Sequence, residues 1–168
     1  MPRQSQPAPD TTDDSFQRIH DALAHRPGFL IRRLHQIHVA LFLEECAGFN
    51  ITPVQYSVLT ALRETSLDQK SIAIAIGIDR ATMTEVLKRL DSAGWIHRVK
   101  SVADNRRRIA SLTPAGRDLL EAMDEKARRA HERTIAPLEK AEREQFVNYM
   151  MQLVDAGNDY GRATLKIS

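Results

Sequence analysis

The chain has 168 residues, 42% of them hydrophobic and 27% charged, with a formal net charge of +2. This composition is typical of one globular domain with a hydrophobic core, and it excludes a disordered chain. The longest uncharged run, Cys46 to Leu62, contains Gly48 and Pro53 and is too short to cross a bilayer, so no membrane partner is expected.

The amino terminus and the cysteine content bear on the compartment. Residues 1–14 are polar and proline-rich and lack the apolar segment of a signal peptide, so we interpret them as a disordered tail. The sequence contains one cysteine, Cys46, which cannot form an intrachain disulfide and agrees with a reducing compartment. We therefore expect a cytoplasmic protein.

Residues 15–50 form a predicted helical region for dimerisation and ligand binding. A first helix is expected from about Asp14 to Ala24, and a second from Phe29 to about Cys46. The second helix is apolar over so wide an arc that we expect it to be enclosed on both sides, at a dimer centre or above a ligand pocket.

Several side chains in and after this helix are candidates for ligand contacts. They are Arg32, Arg33, His35, His38, Phe42 and Tyr56. The arginines could attract a carboxylate or phosphates, or equally form salt bridges. The histidines have a spacing that two metal ligands can have, but no third ligand accompanies them, so packing or hydrogen bonding to a ligand is favoured over a metal. The aromatic side chains could stack on an aromatic effector or belong to the core.

Cys46 could instead sense oxidants through its thiolate. The adjacent Glu44 and Glu45 would raise its pKa, which disfavours this function.

Residues 51–116 carry the strongest pattern. Thr52, Pro53 and Gln55 form a capping box with proline in the first turn and predict the start of a helix. Two further helices are predicted from Asp68 to Gly77 and from Asp79 to Gly94, each with an acidic cap and a terminating glycine. Because Ile78 alone separates them, they must cross steeply, as in a helix-turn-helix.

The second of these helices has an apolar and a polar face. Met83, Val86, Leu87 and Leu90 form the inward stripe. The opposite face carries Arg80, Thr82, Thr84, Lys88 and Arg89. Arginine and lysine can contact phosphates or guanine, and threonine can contact phosphate oxygens or a thymine methyl group.

A basic hairpin follows this helix. Residues 95–100 and 107–112 are rich in β-branched residues and are separated by a polar turn, which predicts two strands leaning on the helices as a wing. Lys100, Arg106 and Arg107 are the candidate DNA contacts in it. From Arg80 to Arg117 there are nine basic residues and three acidic ones, so the positive charge is concentrated where a phosphate backbone would lie.

Residues 117–168 are predicted to form a second helical dimerisation region. A helix capped by Thr113 should run to about Ile135, and another from Leu138 to about Ala156. The first has only a thin apolar seam of Leu119, Leu120, Met123, Ala127 and Ala130. We therefore expect it to pack against a partner chain rather than in a core of its own.

Three segments resemble the MarR family of bacterial winged-helix transcription factors. They are residues 77–84, residues 90–96, and residues 104–116 with Asp-x-Arg and Leu-Thr-x-x-Gly. The resemblance implies a dimer with interlocked terminal helices and a palindromic operator. The stretch from Phe29 to Leu62 resembles regulators of aromatic acid breakdown, which implies an aromatic acid or its coenzyme A thioester as effector. Ser101 and Ala103 depart from the family pattern, in which many members carry Asp and Arg there. Minor-groove contact by the wing should therefore fall to Lys100, Arg106 or Arg107, or be weaker.

The sequence therefore predicts a mainly α fold with a small β-hairpin, comprising a winged helix-turn-helix domain and helical dimerisation regions. The predicted function is a homodimeric repressor that a small effector releases from double-stranded DNA. The alternatives are a redox-driven or constitutive regulator and a helical scaffold that binds an acidic partner. No enzyme motif is found, and neither a cofactor nor a metal is expected.

Overall fold

The computed structural model describes residues 11–101, 104, 107–161 and 165, with side chains from residue 15 onward. Most of the predicted tail, together with Ala103 and Arg106, lies outside these residues. The chain divides into two compact units, Met1–Ile37 and His38–Ser168.

The first unit contains helix α1, Thr11–Ala24, and the beginning of helix α2, Pro27–Glu45. Helix α1 starts three residues before the predicted Asp14. Helix α2 starts two residues before the predicted Phe29, because Pro27 occupies a first-turn position that needs no backbone donor. Leu30 and Ile31, in the part of α2 that belongs to this unit, are 49% and 64% exposed.

The second unit contains the remainder of α2, five further helices and a small sheet. In chain order these are α3 Pro53–Ala61, β1 Leu67–Asp68, α4 Gln69–Ile76, α5 Arg80–Ser92, β2 Ile96–Lys100, β3 Arg108–Leu112, α6 Pro114–Ile135 and α7 Lys140–Gly157, followed by a 3₁₀ turn, Asn158–Tyr160. Their sequence confirms the predicted mainly α fold with a winged helix-turn-helix.

The helix starts follow from the predicted caps. Thr52 and Gln55 form the capping box of α3, and Thr113 accepts a hydrogen bond from Gly116 N at the start of α6. Each cap satisfies backbone amides that have no partner within the helix, so the boundaries are set locally by sequence.

The wing is a three-stranded antiparallel sheet in the order β1-β3-β2. The predicted hairpin pairs Ile96 with Leu112 and Lys100 with Arg108. The sequence prediction missed β1, in which Leu67 pairs with Ala110 and Asp68 with Ile109. A two-residue strand is too short to show an alternating pattern, and it directly joins the wing to the start of α4.

One hydrophobic core holds α2, α3, α4, α5, the wing and α6 together. Its fully buried members include Phe42, Leu59, Ile72, Met83 and Leu120. The predicted seam of α6 is buried in this core, so the expectation that α6 lacks a core of its own is wrong. Its residues pack with those of α3 and the wing, which a single-helix pattern could not show.

Unlike α6, helix α7 does not join the hydrophobic core. None of its residues, all of which are described, is buried, and Tyr149 and Leu153 are 55% and 68% exposed. Among the described residues, no helix combines the length and the apolar character needed to cross a membrane.

Candidate nucleic-acid interface and ligand cavity

Helix α5 presents a basic outer face because its ends and its inner side are fixed. Asp79 Oδ1 accepts hydrogen bonds from Ala81 N and Thr82 N, each at 3.0 Å. Gly94, at φ +77°, ends the segment in a left-handed conformation that favours glycine. The inner side chains of Met83, Leu87 and Leu90 are buried. All five predicted DNA-contacting side chains of this helix are exposed, namely Arg80, Thr82, Thr84, Lys88 and Arg89.

Helix α4 braces α5 from behind. Its cap, Asp68, accepts a hydrogen bond from Ser71 N at 2.9 Å, and Gly77 terminates it at φ +68°. Gln69 Nε2 then donates to Thr84 Oγ1 at 2.7 Å, which links the start of α4 to the outer face of α5. The sequence prediction missed Gln69, because a glutamine after a cap has no pattern of its own.

The wing carries the remaining predicted contacts. Lys100 is exposed at the end of β2, whereas Arg106 lies outside the described residues. Arg107 is also exposed, but its guanidinium lies 3.4 Å from the Asp68 carboxylate and 3.5 Å from that of Asp104. Arg107 therefore joins the wing to the start of α4 as well as facing solvent.

The electrostatics of Asp68 fit this position. The hydrogen bond from Ser71 N is the largest cause that lowers the pKa of Asp68, and nearby Arg107 lowers it further. The ionised carboxylate is thereby stabilised where it caps α4 and holds the wing.

A cavity of about 550 Å³ lies within the second unit. It is lined by His38, Phe42, Pro53, Tyr56, Ser57, Thr60, Ala61, Ala75, Ile76, His131 and Leu165. The structure thus brings together three of the predicted ligand residues, His38, Phe42 and Tyr56. Because Ala75 and Ile76 belong to α4, the cavity adjoins the helix that braces the recognition helix α5.

The other three predicted ligand residues are not among the lining residues. Arg32 lies over the ring of Phe29 at 5.2 Å from its centroid, and Arg33 donates to Gln36 at 2.9 Å. His35 is exposed. All three lie in the first unit.

His38 is held by two partners on α6. Its Nδ1 lies 2.8 Å from Thr134 Oγ1, and the Thr134 hydroxyl donates to the carbonyl of Ala130 at 2.8 Å. Because a hydroxyl has one proton, His38 Nδ1–H must be the donor to Thr134. The His38 ring stacks on that of His131, with 4.9 Å between centroids and 20° between planes.

His131 is a cavity residue that the sequence prediction missed. It is distant from His38 in sequence and lies on a helix whose pattern is mostly charged. No local spacing connects the two histidines, because their contact depends on how α2 packs on α6.

Tyr56, another lining residue of the cavity, is held in place by the ion pair between Arg63 and Asp124. Its hydroxyl donates to Asp124 at 3.0 Å, and Arg63 donates to the same carboxylate at 2.6 and 2.8 Å. Burial, followed by the bond to Asp124, raises the pKa of Tyr56. The hydrogen bonds from Arg63 lower the pKa of Asp124, so the carboxylate stays ionised and anchors α3 to α6.

Cys46 is poorly placed for oxidant sensing. Its side chain is 3% exposed. Burial raises the pKa of its thiol, Lys126 opposes that shift, and Glu45 adds to it as predicted. Access to the sulfur and formation of the thiolate are both disfavoured. In the part of the chain that the structure describes, no cluster of three or more His, Cys, Asp or Glu could hold a metal ion.

Comparison with known proteins identifies the family. The model for the MarR family matches residues 51–107. The PcaV transcriptional regulator of Streptomyces coelicolor, solved in complex with its natural ligand, is 34% identical, with a TM-score of 0.75 over 80% of this chain and 96% of that one. The chain belongs to the MarR family.

Two further proteins are similar to most of the chain. The HTH-type transcriptional repressor NicR of Pseudomonas putida is 25% identical over 96% of this chain and all of its own. The Bordetella bronchiseptica protein BpsR, whose DNA binding is regulated by 6-hydroxynicotinic acid, is 32% identical, with a TM-score of 0.74 over 79% of this chain and 95% of that one.

Membership of the family confirms three predictions. The fold is that of a winged helix-turn-helix with additional helices, the protein is a DNA-binding transcriptional regulator, and it belongs to a family of regulators rather than of enzymes. The winged helix-turn-helix described above is therefore a nucleic-acid-binding element.

Proposed function

We propose that this MarR-family protein is a homodimeric repressor that an aromatic carboxylic acid releases from its operator by binding in the cavity. The observation that carries the proposal is the lining of the cavity. It combines His38 and Phe42 of α2 with residues of helix α4. A DNA-binding transcriptional regulator works in the cytoplasm, where we place this protein.

The DNA contacts follow from the exposed faces. The recognition helix α5 enters the major groove with its amino-terminal turns toward the base edges, as in other helix-turn-helix proteins. Arg80, Lys88 and Arg89 supply positive charge on α5, and Lys100 and Arg107 supply it on the wing. These contacts to phosphates set the affinity, whereas the contacts to base edges set the sequence preference.

The cavity chemistry favours an aromatic acid. Phe42 and Tyr56 provide ring faces, with their own centroids 5.6 Å apart. Ser57 and Thr60 add hydroxyls, and the imidazoles of His38 and His131 are the lining groups that can become cationic. The volume of about 550 Å³ suits a small molecule.

Release requires a ligand that distinguishes two states of the repressor. An acid that contacts Ile76 on α4 and Tyr56 on α3 would favour the relative position of these helices that accommodates it. Since α4 is linked to α5 through Gln69 and Thr84, that position also changes the presentation of the recognition helix. Only the difference in ligand affinity between the two states can shift the equilibrium.

Two copies are needed to cover a palindromic operator, and α7 supplies a surface for dimerisation. Its apolar side chains Val147, Met150, Leu153 and Val154 are exposed in one chain. An apolar surface of this kind on a helix is typical of an interface. A two-fold dimer would place two recognition helices one helical turn of DNA apart.

The test is operator binding by fluorescence anisotropy, using DNA from the promoter of the gene itself. The ligand series is benzoate, 4-hydroxybenzoate and 6-hydroxynicotinate, with benzamide as the neutral control and benzoyl coenzyme A as the thioester arm. We expect an acid to raise the Kd for the operator and benzamide to leave it unchanged. Release by benzoyl coenzyme A alone would identify the thioester, rather than the free acid, as the effector.

A cavity variant shows where the effector acts. His38→Gln should raise the acid concentration needed for release, while operator affinity without ligand stays unchanged. His20→Gln, an exposed histidine of α1, is the matched control. If His38→Gln and the control respond equally to the acid, the cavity is not the effector site. Oxidant-driven release that Cys46→Ser abolishes would instead establish the redox alternative.

A further inference from the structure

The two threonines on the outer face of α5 use their hydroxyl protons inside the protein. Thr82 Oγ1 donates to Asp79 Oδ2 at 2.7 Å. Thr84 Oγ1 donates to the carbonyl of Arg80 at 2.9 Å and accepts from Gln69 Nε2 at 2.7 Å. A carboxylate and a carbonyl can only accept, so the threonine is the donor in both bonds.

This arrangement excludes one class of DNA contact for both side chains. A hydroxyl has a single proton, and phosphate oxygens, guanine O6 and N7, and thymine O4 all require a donor. Thr82 and Thr84 cannot supply one without breaking a bond within the helix-turn-helix. The sequence left phosphate contact and thymine contact open for these residues, and the hydrogen bonds favour the second.

What the threonines can still offer is their γ-methyl groups. Ala81, next to Thr82 and also exposed, adds a third methyl group in the same first turns of the helix. These turns approach the base edges when a recognition helix lies in the major groove. A methyl group packs favourably on the C5-methyl group of thymine, which cytosine and the purines lack.

We propose that Thr82 and Thr84 are specificity-determining residues that read thymine C5-methyl groups, with Gln69 and Asp79 holding their hydroxyls away from the DNA. This inference rests on the proposed placement of α5 in the major groove. It assigns a preference for thymine to the positions beneath the first turns of α5 and leaves charge-based affinity to Arg80 and Lys88.

The experiment begins with an operator that the wild-type protein selects from a library of randomised DNA duplexes. Each thymine of one half-site, and its symmetry mate, is then replaced by deoxyuridine, which removes only the C5-methyl group. At the contacted positions we expect binding to weaken by about fourfold for each methyl group lost, the factor that corresponds to burial of one such carbon.

Paired variants assign the contacts. Thr84→Val keeps a methyl group and removes the hydroxyl, so it should retain the discrimination between thymine and deoxyuridine. Thr84→Ser keeps the hydroxyl and removes the methyl group, so it should bind about fourfold more weakly per half-site, about sixteenfold for the dimer, and lose the discrimination at one position of each half-site. Thr82→Val and Thr82→Ser should behave in the same way at a second position.

Lys88→Ala is the matched control, because an exposed cation should contribute equally to the thymine and deoxyuridine duplexes. Circular dichroism melting of each variant checks that the fold is retained. A valine variant that loses the discrimination between thymine and deoxyuridine, as the serine variant should, would overturn the proposal, since the γ-methyl group would then not be what reads the thymine.

Two further results would be decisive. If the selected operator binds tightly and no deoxyuridine replacement weakens it, α5 does not read thymine, although the regulator function stands. If no sequence is enriched from the library, sequence-specific operator binding itself fails, and the thymine proposal fails with it.

Discussion

Gly116 is the residue at which the wing meets the start of α6. A Cβ atom there would overlap the carbonyl oxygen of Trp95 and lie 2.9 Å from the carbonyl carbon. The same carbonyl accepts hydrogen bonds from Thr113 N at 3.1 Å and from the Thr113 hydroxyl at 3.2 Å, so the backbone cannot move freely. Gly116→Ala should therefore lower the free energy of unfolding by about 1–3 kcal/mol, measured by urea denaturation.

Gly157→Ala is the control for this substitution. Gly157 is the last residue of α7, and an added Cβ meets nothing within 4 Å. Alanine there should stabilise the protein by up to about 1 kcal/mol through helix propensity. Equal unfolding free energies for the two variants would show that the contact with Trp95 does not constrain residue 116.

The ion pair of Asp124 with Arg63 should make the stability of the protein depend on pH. The hydrogen bonds from Arg63 are the largest cause of the lowered pKa of Asp124. The stability that this ion pair contributes is therefore complete above the ordinary carboxyl pKa, and it is lost as pH falls through the lower pKa of the folded state. With 40% of the Asp124 side chain exposed, solvent screening reduces the contribution. Asp124→Asn should cost about 1 kcal/mol at pH 7 and progressively less below about pH 4.

Thermal unfolding from pH 7 to pH 3 measures this effect, with Asp118→Asn, an exposed aspartate of α6, as control. A difference in Tm between wild type and Asp124→Asn that stays constant across the range would mean that the ion pair with Arg63 does not stabilise the folded state.

At the scale of elements, local signals were predictable and contacts between elements were not. The caps at Thr52, Asp68, Asp79 and Thr113 each depend on residues within one turn, so the sequence located those helix starts. Strand β1 was missed because its two residues are defined by their partners in β3, forty-odd positions away.

The candidate sites likewise combine residues that a local pattern predicts with residues that only the packing of helices brings together. The exposed face of α5 follows from helical spacing alone, whereas His131 enters the cavity through the packing of α6 on α2. Gln69 could not be anticipated either, since its role depends on the crossing of α4 and α5. Arg32, Arg33 and His35 share the helix of His38 and Phe42, yet they are not cavity residues.

The start of α4 combines two functions of Asp68 that substitution can separate. Asp68→Asn retains an acceptor for Ser71 N but loses the ion pair with Arg107, whereas Asp68→Ala loses both. We expect Asp68→Ala to destabilise the protein by about 1 kcal/mol and Asp68→Asn by less than about half of that.

Hydrogen exchange at the Ser71 amide gives a local measurement of the same prediction. Protection should fall in Asp68→Ala and persist in Asp68→Asn. Equal loss of protection in both variants would assign the stabilisation to the Arg107 pair rather than to the cap.

At the scale of the whole molecule, the charge on α5 predicts how operator binding depends on salt. If Lys88 contacts a phosphate in each half of a two-fold complex, Lys88→Ala removes two contacts per dimer. The slope of log K against log salt should then become shallower by about 1.8. Arg128→Ala is the control, because Arg128 is exposed on α6 and paired with Glu125 and Glu132. A slope that changes equally in both variants would reflect net charge rather than a contact of α5.

The exposed apolar face of α7 is the proposed dimer interface. Leu153 is 68% exposed and Met150 and Val154 are 38% and 41% exposed, and leaving such side chains in water on one helix is unfavourable. Leu153→Asp would place a charge in the proposed interface, where the cost of desolvating it exceeds any gain from packing. We expect the variant to sediment as a monomer at concentrations where the wild type is a dimer.

Operator affinity then tests whether the dimer is the DNA-binding species. A monomer can engage only one half-site, so Leu153→Asp should bind the full operator far more weakly, while its affinity for an isolated half-site is unchanged. Gln152→Asp, an exposed neighbour on the same helix, adds the same charge and should leave both measurements as in the wild type. A dimeric Leu153→Asp variant would place the interface elsewhere, and a monomeric variant with full operator affinity would show that one recognition helix is sufficient.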